Sequence, residues 1–517
     1  MSTSTRPSPA QTTSATPHLV QRLGLFSSTA IVIGSMIGSG IFIVPAEISR
    51  GVGSPALLIA AWLVTAVMTI IGALSYGELA AMMPAAGGQY VYLREALGPM
   101  WGFLFGWTLF LVIQTGTIAA VVVAFGKFLG VFFPAISSSH WLLHLGHVPA
   151  MRIGPMVLGN MDIGLNTANL TGIIIVLVLT GINILGVRLG ALVQNVFTTA
   201  KTAALLGLVV VGFWFGRNPA AIAANFGHNF WQNASWHTLH PVQVGVGGPI
   251  AMVGMLTILA VVQTGSLFSA DAWNNVTFTA GEIRNPKRNL PLSLVLGTVI
   301  VISLYVAANF VYLCALPLHG DPNGTTTFAR GIQYATEDRV ATAVLQQIFQ
   351  NSGAFLMAGA ILISTFGCAN GLILAGARVY YAMSCDGLFF KSTSKLHPRY
   401  KTPVAALVIQ AVWTCFLCLT GSYSQLLDYI ICTELIFYIL TIACLFVLRR
   451  RKPDAERPYR AVGYPVLPAV YIGMAAWICI VLLRYKPQFT WPGLFIVLLG
   501  IPVFMVWSRR GQTATQD

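Results

Sequence analysis

The chain repeats one feature about twelve times, a run of apolar residues long enough to cross a lipid bilayer. A hydrocarbon core about 30 Å thick requires roughly 20 such residues in a helix. Only 9% of the residues are charged, whereas soluble domains carry about a quarter. The sequence therefore predicts an all-α membrane protein with about twelve transmembrane helices. The apolar runs lie at 24–48, 54–83, 100–133, 168–188, 190–215, 249–280, 290–316, 351–384, 403–421, 424–448, 464–484 and 489–508.

The positive charges indicate how the chain is oriented in the membrane. If an even number of spans places both termini on one side, most of the 29 Lys and Arg residues fall in loops on that side, including the run from Arg449 to Lys452. Cytoplasmic loops carry such an excess. We therefore predict a multi-pass inner (plasma) membrane protein with cytoplasmic termini, and this bias accounts for the net charge of +14 without nucleic acid.

The first span contains three glycines and two serines between Gly34 and Gly40. Glycine can serve only close helix packing in a membrane, but this density also indicates an unwound point, which is tolerated where the backbone lines a cavity. There the amides of Ser39 and Gly40 would begin a half-helix and suit a carboxylate. The carbonyls that end the preceding half-helix, near Met36, would suit an ammonium group.

The sixth span contains a carboxylate, Asp271, deep in an otherwise uncharged run. Charged groups at this depth are costly and are usually functional. The alternative is structural, with Asp271 as the N-cap of a second half-helix that begins near Trp273. Both interpretations imply an interruption of the sixth span.

Two interrupted helices five spans apart are typical of a transporter with inverted repeats and a central site. They predict a five-plus-five arrangement with two additional helices. The predicted segments are a disordered cytoplasmic N-terminal tail at 1–20, a first repeat at 21–215, an extracellular loop at 216–248, a second repeat at 249–448, two final helices with a basic cytoplasmic loop at 449–508, and a cytoplasmic tail at 509–517.

Four ordered motifs resemble the amino acid–polyamine–organocation superfamily, and in particular its L-type amino acid transporter branch. Gly38 to Phe42 (Gly-Ser-Gly-Ile-Phe) is similar to the superfamily signature, and the segments 273–291 and 364–389 are similar to the L-type branch. Glu78, Pro84 and the Gly87–Tyr90 segment resemble the loop after its second span. The resemblance covers about 22–460 and implies the LeuT-type fold and amino acid transport by alternating access.

The resemblance implies a substrate site at the two interruptions. The amides of Ser39 and Gly40 would bind the substrate carboxylate, and the carbonyls of Met36 and Phe268 would take its amine. Phe268 would also be the aromatic gate. The remaining implied contacts are Ile37, Gly38, Ser269, Ala270, Asp271 and Asn274. Many relatives have Tyr and Gly where this chain has Ala270 and Ala272, which leaves the choice of substrate open.

Lys201, in the fifth span, bears on whether transport is coupled to a sodium ion. It lies too deep to reach either surface easily. In sodium-independent relatives, a lysine in this place occupies the position of a sodium ion. Its ammonium would bridge carbonyls of the first half-helix and a hydroxyl of span eight, Ser364 or Thr365. We therefore expect sodium-independent transport, with Lys201 either as a proton carrier or as a fixed tether.

A cytoplasmic gate is predicted from three charged residues near the inner ends of the spans. Arg378 and Glu282 would form an ion pair together with Glu78. The histidines of the outer loops lack acidic or cysteine companions, so no metal site is predicted, and no cofactor is expected.

The remaining alternatives concern the class of protein. The sequence contains no HExxH or GxSxG motif, and paired helix breaks favour a carrier over an enzyme or a channel. Within carriers, an exchanger or facilitator of neutral L-amino acids is favoured, and a proton-coupled or polyamine symporter is the alternative. An amino acid-sensing receptor on a transporter fold is a further alternative.

The partners follow from the resemblance. Animal members of the L-type branch pair with a glycoprotein through a cysteine in the loop after span three. Residues 134–167 contain no cysteine, so we expect a stand-alone carrier without a disulfide-linked heavy chain.

Overall fold

Helices form most of the computed structural model, which describes residues 21–149, 151–153, 156–158, 161–245, 248–419 and 423–513. A helix satisfies all its interior backbone groups within one segment, which the interior of a bilayer requires. The helices are α1 Leu25–Met36, α2 Gly40–Val52, α3 Pro55–Met82, α4 Gln89–Leu97, α5 Pro99–Thr108, α6 Gln114–Leu129, α7 Thr167–Ile184, α8 Val187–Phe215, α9 Pro219–Asn225, α10 Met255–Ser269, α11 Asn275–Phe278, α12 Pro286–Ala315, α13 Thr327–Arg330, α14 Val340–Phe349, α15 Asn351–Cys385, α16 Val404–Cys418, α17 Tyr423–Arg451, α18 Val466–Tyr485 and α19 Pro487–Thr513.

Among the described residues, 10 helical segments are long and apolar enough to cross a membrane, with α1 and α2 counted together and α5 joined to α6 through a π-helical turn at Leu109–Ile113. Three shorter apolar helices, α10, α14 and α16, accompany them. Every predicted apolar run contains one of these helices. The prediction of a multi-pass, mainly helical membrane protein is confirmed.

Large apolar side chains point outward along the long helices. Trp214 and Phe215 on α8 and Val412 on α16 are mostly exposed. Such surfaces are unfavourable in water and suit contact with lipid. The buried side of the bundle contains polar residues, among them Lys201 on α8, Asn309 on α12 and Arg378 on α15, so the polar interior is where a site is expected.

In the described parts of the connections between helices, strands form three antiparallel pairs. Strands β1 Trp141–Val148 and β4 Met161–Asn166 enclose the smaller hairpin of β2 Met151–Ile153 and β3 Met156–Leu158, and β5 His240–Gln243 pairs with β6 Ile250–Val253. The sequence showed no period there. A hairpin satisfies its backbone groups between its own strands, so it needs no buried face in a connecting loop.

The predicted tails and the predicted extracellular loop at 216–248 can be compared only in part. Residues 1–20 and 514–517 lie outside the described residues, and α19 continues past the predicted end at 508 to Thr513. The predicted loop at 216–248 contains α9 and β5, and the helix that follows begins at Met255. The assignment of repeats remains a prediction.

Candidate functional site

The first interruption is the three-residue gap between α1 and α2. Helix α1 ends at Met36, Ile37 is extended with φ −74° and ψ 93°, and α2 begins at Gly40. The carbonyls at the end of α1 find partners on other helices. The Cys368 thiol lies 3.1 Å from the Ser35 oxygen, and the Ser364 hydroxyl donates to the Ile37 and Gly38 oxygens at 3.1 Å each. These contacts satisfy the carbonyl groups that the break leaves without a helical partner. The glycines lower the free-energy cost of interrupting the helix, because glycine has a low helix propensity.

Lys201 joins this gap from α8. Its ammonium donates to the backbone oxygens of Gly34 at 2.5 Å, Ile37 at 2.7 Å and Ser364 at 3.3 Å. The predicted bridge from α1 to span eight is present, but it ends on the Ser364 carbonyl and not on a hydroxyl. The Thr365 hydroxyl donates within its own helix, to Ile361 and Leu362. Buried hydroxyls on helices commonly bond the preceding turn, as Thr365 does, and the Ser364 hydroxyl donates to the gap backbone instead, so neither hydroxyl is the partner of Lys201.

The second interruption separates α10, which ends at Ser269, from α11, which begins at Asn275. Ala272 in this gap has φ 61°, a left-handed conformation that side chains other than glycine rarely adopt. Asp271 does not cap α11: the N-cap position is Asn274, without a side-chain cap, and an Asp271 oxygen accepts a 2.7 Å hydrogen bond from Tyr438 on α17. The N-cap hypothesis for Asp271 was wrong because the carboxylate turns toward α17.

The two gaps lie against each other. The Tyr305 hydroxyl on α12 is 3.1 Å from the Met36 oxygen and 3.0 Å from the Ser269 oxygen. A Cβ atom added to Gly40 would lie 2.2 Å from the Ser269 hydroxyl oxygen and 3.0 Å from its Cα. Tyr305 was not found from the sequence, because a tyrosine on a buried helix face carries no motif. The Phe42 amide donates to the Ser39 oxygen at 3.1 Å, and the first amides of a helix have no carbonyl one turn earlier in it, so this junction combines amide donors with carbonyl acceptors.

The side chains predicted beside the junction have different surroundings. Phe268 and Ala270 are buried there. Asn274 donates to Gln89 at 2.9 Å, and its own amide oxygen has no partner among the described residues. The loop before α4 packs closely on α11, since a Cβ on Gly88 would lie 2.2 Å from the Thr277 hydroxyl. Asn274 therefore connects α11 to α4 in this conformation.

Ala272→Gly is expected to stabilise the protein and to leave transport intact. A left-handed residue with a Cβ atom costs about 1 kcal/mol, and glycine removes that cost. The melting temperature of the purified protein measures the effect. The matched control is Ala260→Gly in α10, where glycine should destabilise by about 1 kcal/mol. A lower melting temperature for Ala272→Gly would contradict the strain at this position.

The three charged residues of the predicted gate belong to two separate clusters. Arg378 and Glu282 are both fully buried, and their side chains approach to 3.2 Å, as predicted. Backbone bonds from Arg22 and Leu23 to the Glu282 oxygen tie the chain before α1 to this pair. The predicted participation of Glu78 was wrong.

Glu78 instead pairs with Arg449 at 2.6 Å and with Arg457 at 3.4 Å, and accepts from the Ala461 amide. It therefore anchors the loop between α17 and α18. Both arginines lie more than 350 residues along the chain, which no local pattern could indicate. Among the described residues, no group of three or more His, Cys, Asp or Glu side chains is placed to hold a metal ion.

Comparisons with known proteins agree with this architecture. The chain is 27% identical over 494 residues to the serine/threonine exchanger SteT of Bacillus subtilis (strain 168), covering 95% of this chain and 98% of the relative. It is 28% identical over 496 residues to the large neutral amino acids transporter small subunit 2 of Homo sapiens, covering 95% and 82%. It is 26% identical over 489 residues to the b(0,+)-type amino acid transporter 1 of Homo sapiens, covering 93% and 86%.

These relatives are transporters and exchangers by name, not enzymes. The family model for amino acid permeases matches residues 23–507, which include both gaps, Lys201 and the Arg378–Glu282 pair. The resemblance inferred from the sequence is confirmed, and the chain belongs to the amino acid permease family.

Proposed function

We propose that the protein is a sodium-independent exchanger or facilitator of neutral L-amino acids that works by alternating access. The observation that carries this proposal is the contact between the two gaps, bridged by Tyr305 between the Met36 and Ser269 oxygens. Amides at Ser39 and Gly40 would bind a carboxylate there, and carbonyls at Met36 and Phe268 would bind an amine. A zwitterion fits both ends of this arrangement.

The tether role of Lys201 supports independence from sodium. An ammonium group has three hydrogens, and three backbone oxygens surround this one. A neutral amine would place a lone pair against a carbonyl, so this geometry favours a fixed charge over a proton carrier. The Lys201 ammonium already supplies the positive charge that a bound sodium ion would otherwise bring to these carbonyl oxygens.

The chain would act alone in the inner membrane with cytoplasmic termini, and the Arg378–Glu282 pair, with the segment at Arg22 and Leu23, would close the inner side. Transport would break and reform these contacts.

Counterflow in proteoliposomes tests the proposal. Vesicles loaded with unlabelled L-serine or L-leucine should take up the labelled amino acid at the same rate when potassium replaces sodium. A requirement for a sodium gradient would overturn sodium independence. Binding in a thermal-shift assay without counterflow would identify a sensing receptor.

Neutral L-amino acids are expected to raise the melting temperature of the purified protein. A ligand at 100 times its Kd stabilises by about 2.7 kcal/mol. The panel includes L-serine, L-leucine, L-lysine, L-glutamate and putrescine. A shift with putrescine alone would overturn the neutral-substrate assignment.

The second candidate is a proton-coupled or cationic amino acid symporter. The observation that favours it is the buried carboxylate of Asp271 at the second gap, 8% exposed, because a carboxylate there can accept a proton or a second amine.

A further inference from the structure

A buried acidic cluster lies beside the second gap. Asp271 faces Glu434 and Tyr438, which lie one turn apart on α17. The exposed fractions of the three residues are 8%, 6% and 4%. The Tyr438 hydroxyl oxygen is 2.7 Å from an Asp271 oxygen and 2.9 Å from a Glu434 oxygen. The two carboxyl groups are thus joined through one hydroxyl.

With both carboxylates ionised, this cluster has one hydrogen too few for its two short O–O contacts. A tyrosine hydroxyl has one hydrogen to donate, and an ionised carboxylate only accepts. Tyr438 can satisfy one of its two short contacts, and the other would bring two lone pairs together. One hydrogen on a carboxyl group completes both hydrogen bonds.

The two negative charges of the ionised carboxylates also require one added positive charge. The second oxygen of Glu434 has no partner among the described residues, and it lies beside a small cavity lined by α3, α10, α17 and α18 and the gap after α10. Among the described residues that line the cavity, none is Lys, Arg or His. Two uncompensated carboxylates at membrane depth are costly, so the cluster requires one positive charge.

The titratable groups that the structure describes around the cluster do not supply that charge. They are tyrosines and cysteines, which are neutral when protonated, and the described part of the cavity lining includes no ionisable side chain of α6 or α19. They are Tyr76 on α3, Tyr92 on α4, Cys444 on α17, and Tyr471 and Cys479 on α18.

The cavity is small. Its volume is about 20 Å³, enough for about one water molecule. An alkylammonium side chain does not fit this space in the present conformation. A proton needs no volume.

We propose that Asp271, Tyr438 and Glu434 form a proton-binding site, and that its proton crosses the membrane together with the amino acid. The inference rests on the proposed amino acid transport, adds a proton as a second transported species, and selects the proton-coupled candidate over uncoupled exchange or facilitation. The proton leaves water on the side of higher proton concentration and forms an O–H bond on a carboxyl oxygen. After reorientation, that bond breaks and the proton passes to water on the other side.

The second gap would couple proton binding at this cluster to binding of the amino acid. Asp271 is part of the gap backbone, and the ring of Trp273 stacks on Tyr438 with centroids 5.4 Å apart. Movement of the gap during transport would therefore change the contacts of Tyr438 and the exposure of both carboxyls.

Accumulation in proteoliposomes tests the site. Labelled L-serine or L-leucine is supplied outside, an inside-alkaline gradient of one pH unit is imposed, valinomycin and potassium hold the membrane potential at zero, and an internal pH dye follows protons. One proton per amino acid would support about ten-fold accumulation, because one pH unit and ten-fold in concentration are equivalent in free energy. Glu434→Gln, which fixes this group as neutral, should retain detectable counterflow and give a ratio near one.

The matched control is Glu456→Gln. This glutamate is 73% exposed in its side chain and pairs with Lys287 outside the cluster, and the variant should accumulate substrate as the wild type does. If Glu434→Gln is not monodisperse, Tyr438→Phe provides the readout. Loss of the hydroxyl should shift the pH dependence of counterflow, which a purely structural role would not do.

The outcomes separate the two proposals. Absence of wild-type counterflow for every amino acid overturns both. Counterflow without any response to the proton gradient overturns the proton site alone. Accumulation that follows a sodium gradient, or L-lysine transport that requires Asp271 without proton movement, assigns the missing charge to sodium or to a second amine and also overturns it.

Discussion

Lys201→Met should lower amino acid counterflow by about 100-fold or more. The variant keeps the length of the side chain but leaves the oxygens of Gly34, Ile37 and Ser364 without their buried donor. An unsatisfied buried group costs about 1–3 kcal/mol, and about 3 kcal/mol against the transport-competent conformation corresponds to roughly 100-fold. The rate of L-serine or L-leucine exchange in proteoliposomes measures the loss.

The control is Lys391→Met, which removes an exposed ammonium from the short helix Lys391–Ser394. This variant should exchange amino acids at the wild-type rate. A similar reduction in both variants would assign the effect to the change in net charge. Wild-type exchange by Lys201→Met would contradict the tether.

Gly40→Val is expected to abolish transport while the protein still inserts into the membrane. The nearest obstacles to a Cβ atom are the Ser269 hydroxyl oxygen at 2.2 Å, its Cβ at 2.8 Å and its Cα at 3.0 Å. Overpacking of this kind costs about 1–3 kcal/mol, and here it would separate the two gaps. Counterflow should fall at least about ten-fold, the loss that 1.4 kcal/mol produces.

A matched glycine is available on α8. A Cβ on Gly207 would have no neighbour within 4 Å, so Gly207→Val tests the same chemical change in a membrane helix without the clash. This control should retain transport. Equal expression of both variants with transport lost only in Gly40→Val supports the junction, and full transport by Gly40→Val would exclude it as the binding site.

Both predictions concern the backbone of the first gap. Lys201 acts on carbonyls and Gly40 permits close contact with α10, so side chains here arrange main-chain groups. In the proposed function, main-chain amides and carbonyls would bind the two ends common to all amino acids, and neighbouring side chains such as Ala270 would select the substrate. The low sequence identity to relatives, 26–28%, is compatible with this division.

The class of fold, the positions of both gaps and the family could all be inferred from the amino-acid sequence alone. These features depend on local composition: apolar runs of sufficient length for a bilayer, glycines that weaken a helix, and a carboxylate in an apolar segment. Each can be recognised within about twenty residues because the bilayer imposes it segment by segment. The bridge from Lys201 to α1 and the Arg378–Glu282 pair were also predicted, the first through resemblance and the second from charge.

The identity of the contacting atoms depends on the packing of the helices in three dimensions. This packing placed the Ser364 carbonyl on Lys201, turned Asp271 toward Tyr438 and paired Glu78 with Arg449 and Arg457. Each partner lies more than 160 residues away in the sequence. Such contacts depend on how helices pack and rotate against one another, and a buried polar group takes whichever partner that packing brings within hydrogen-bond distance.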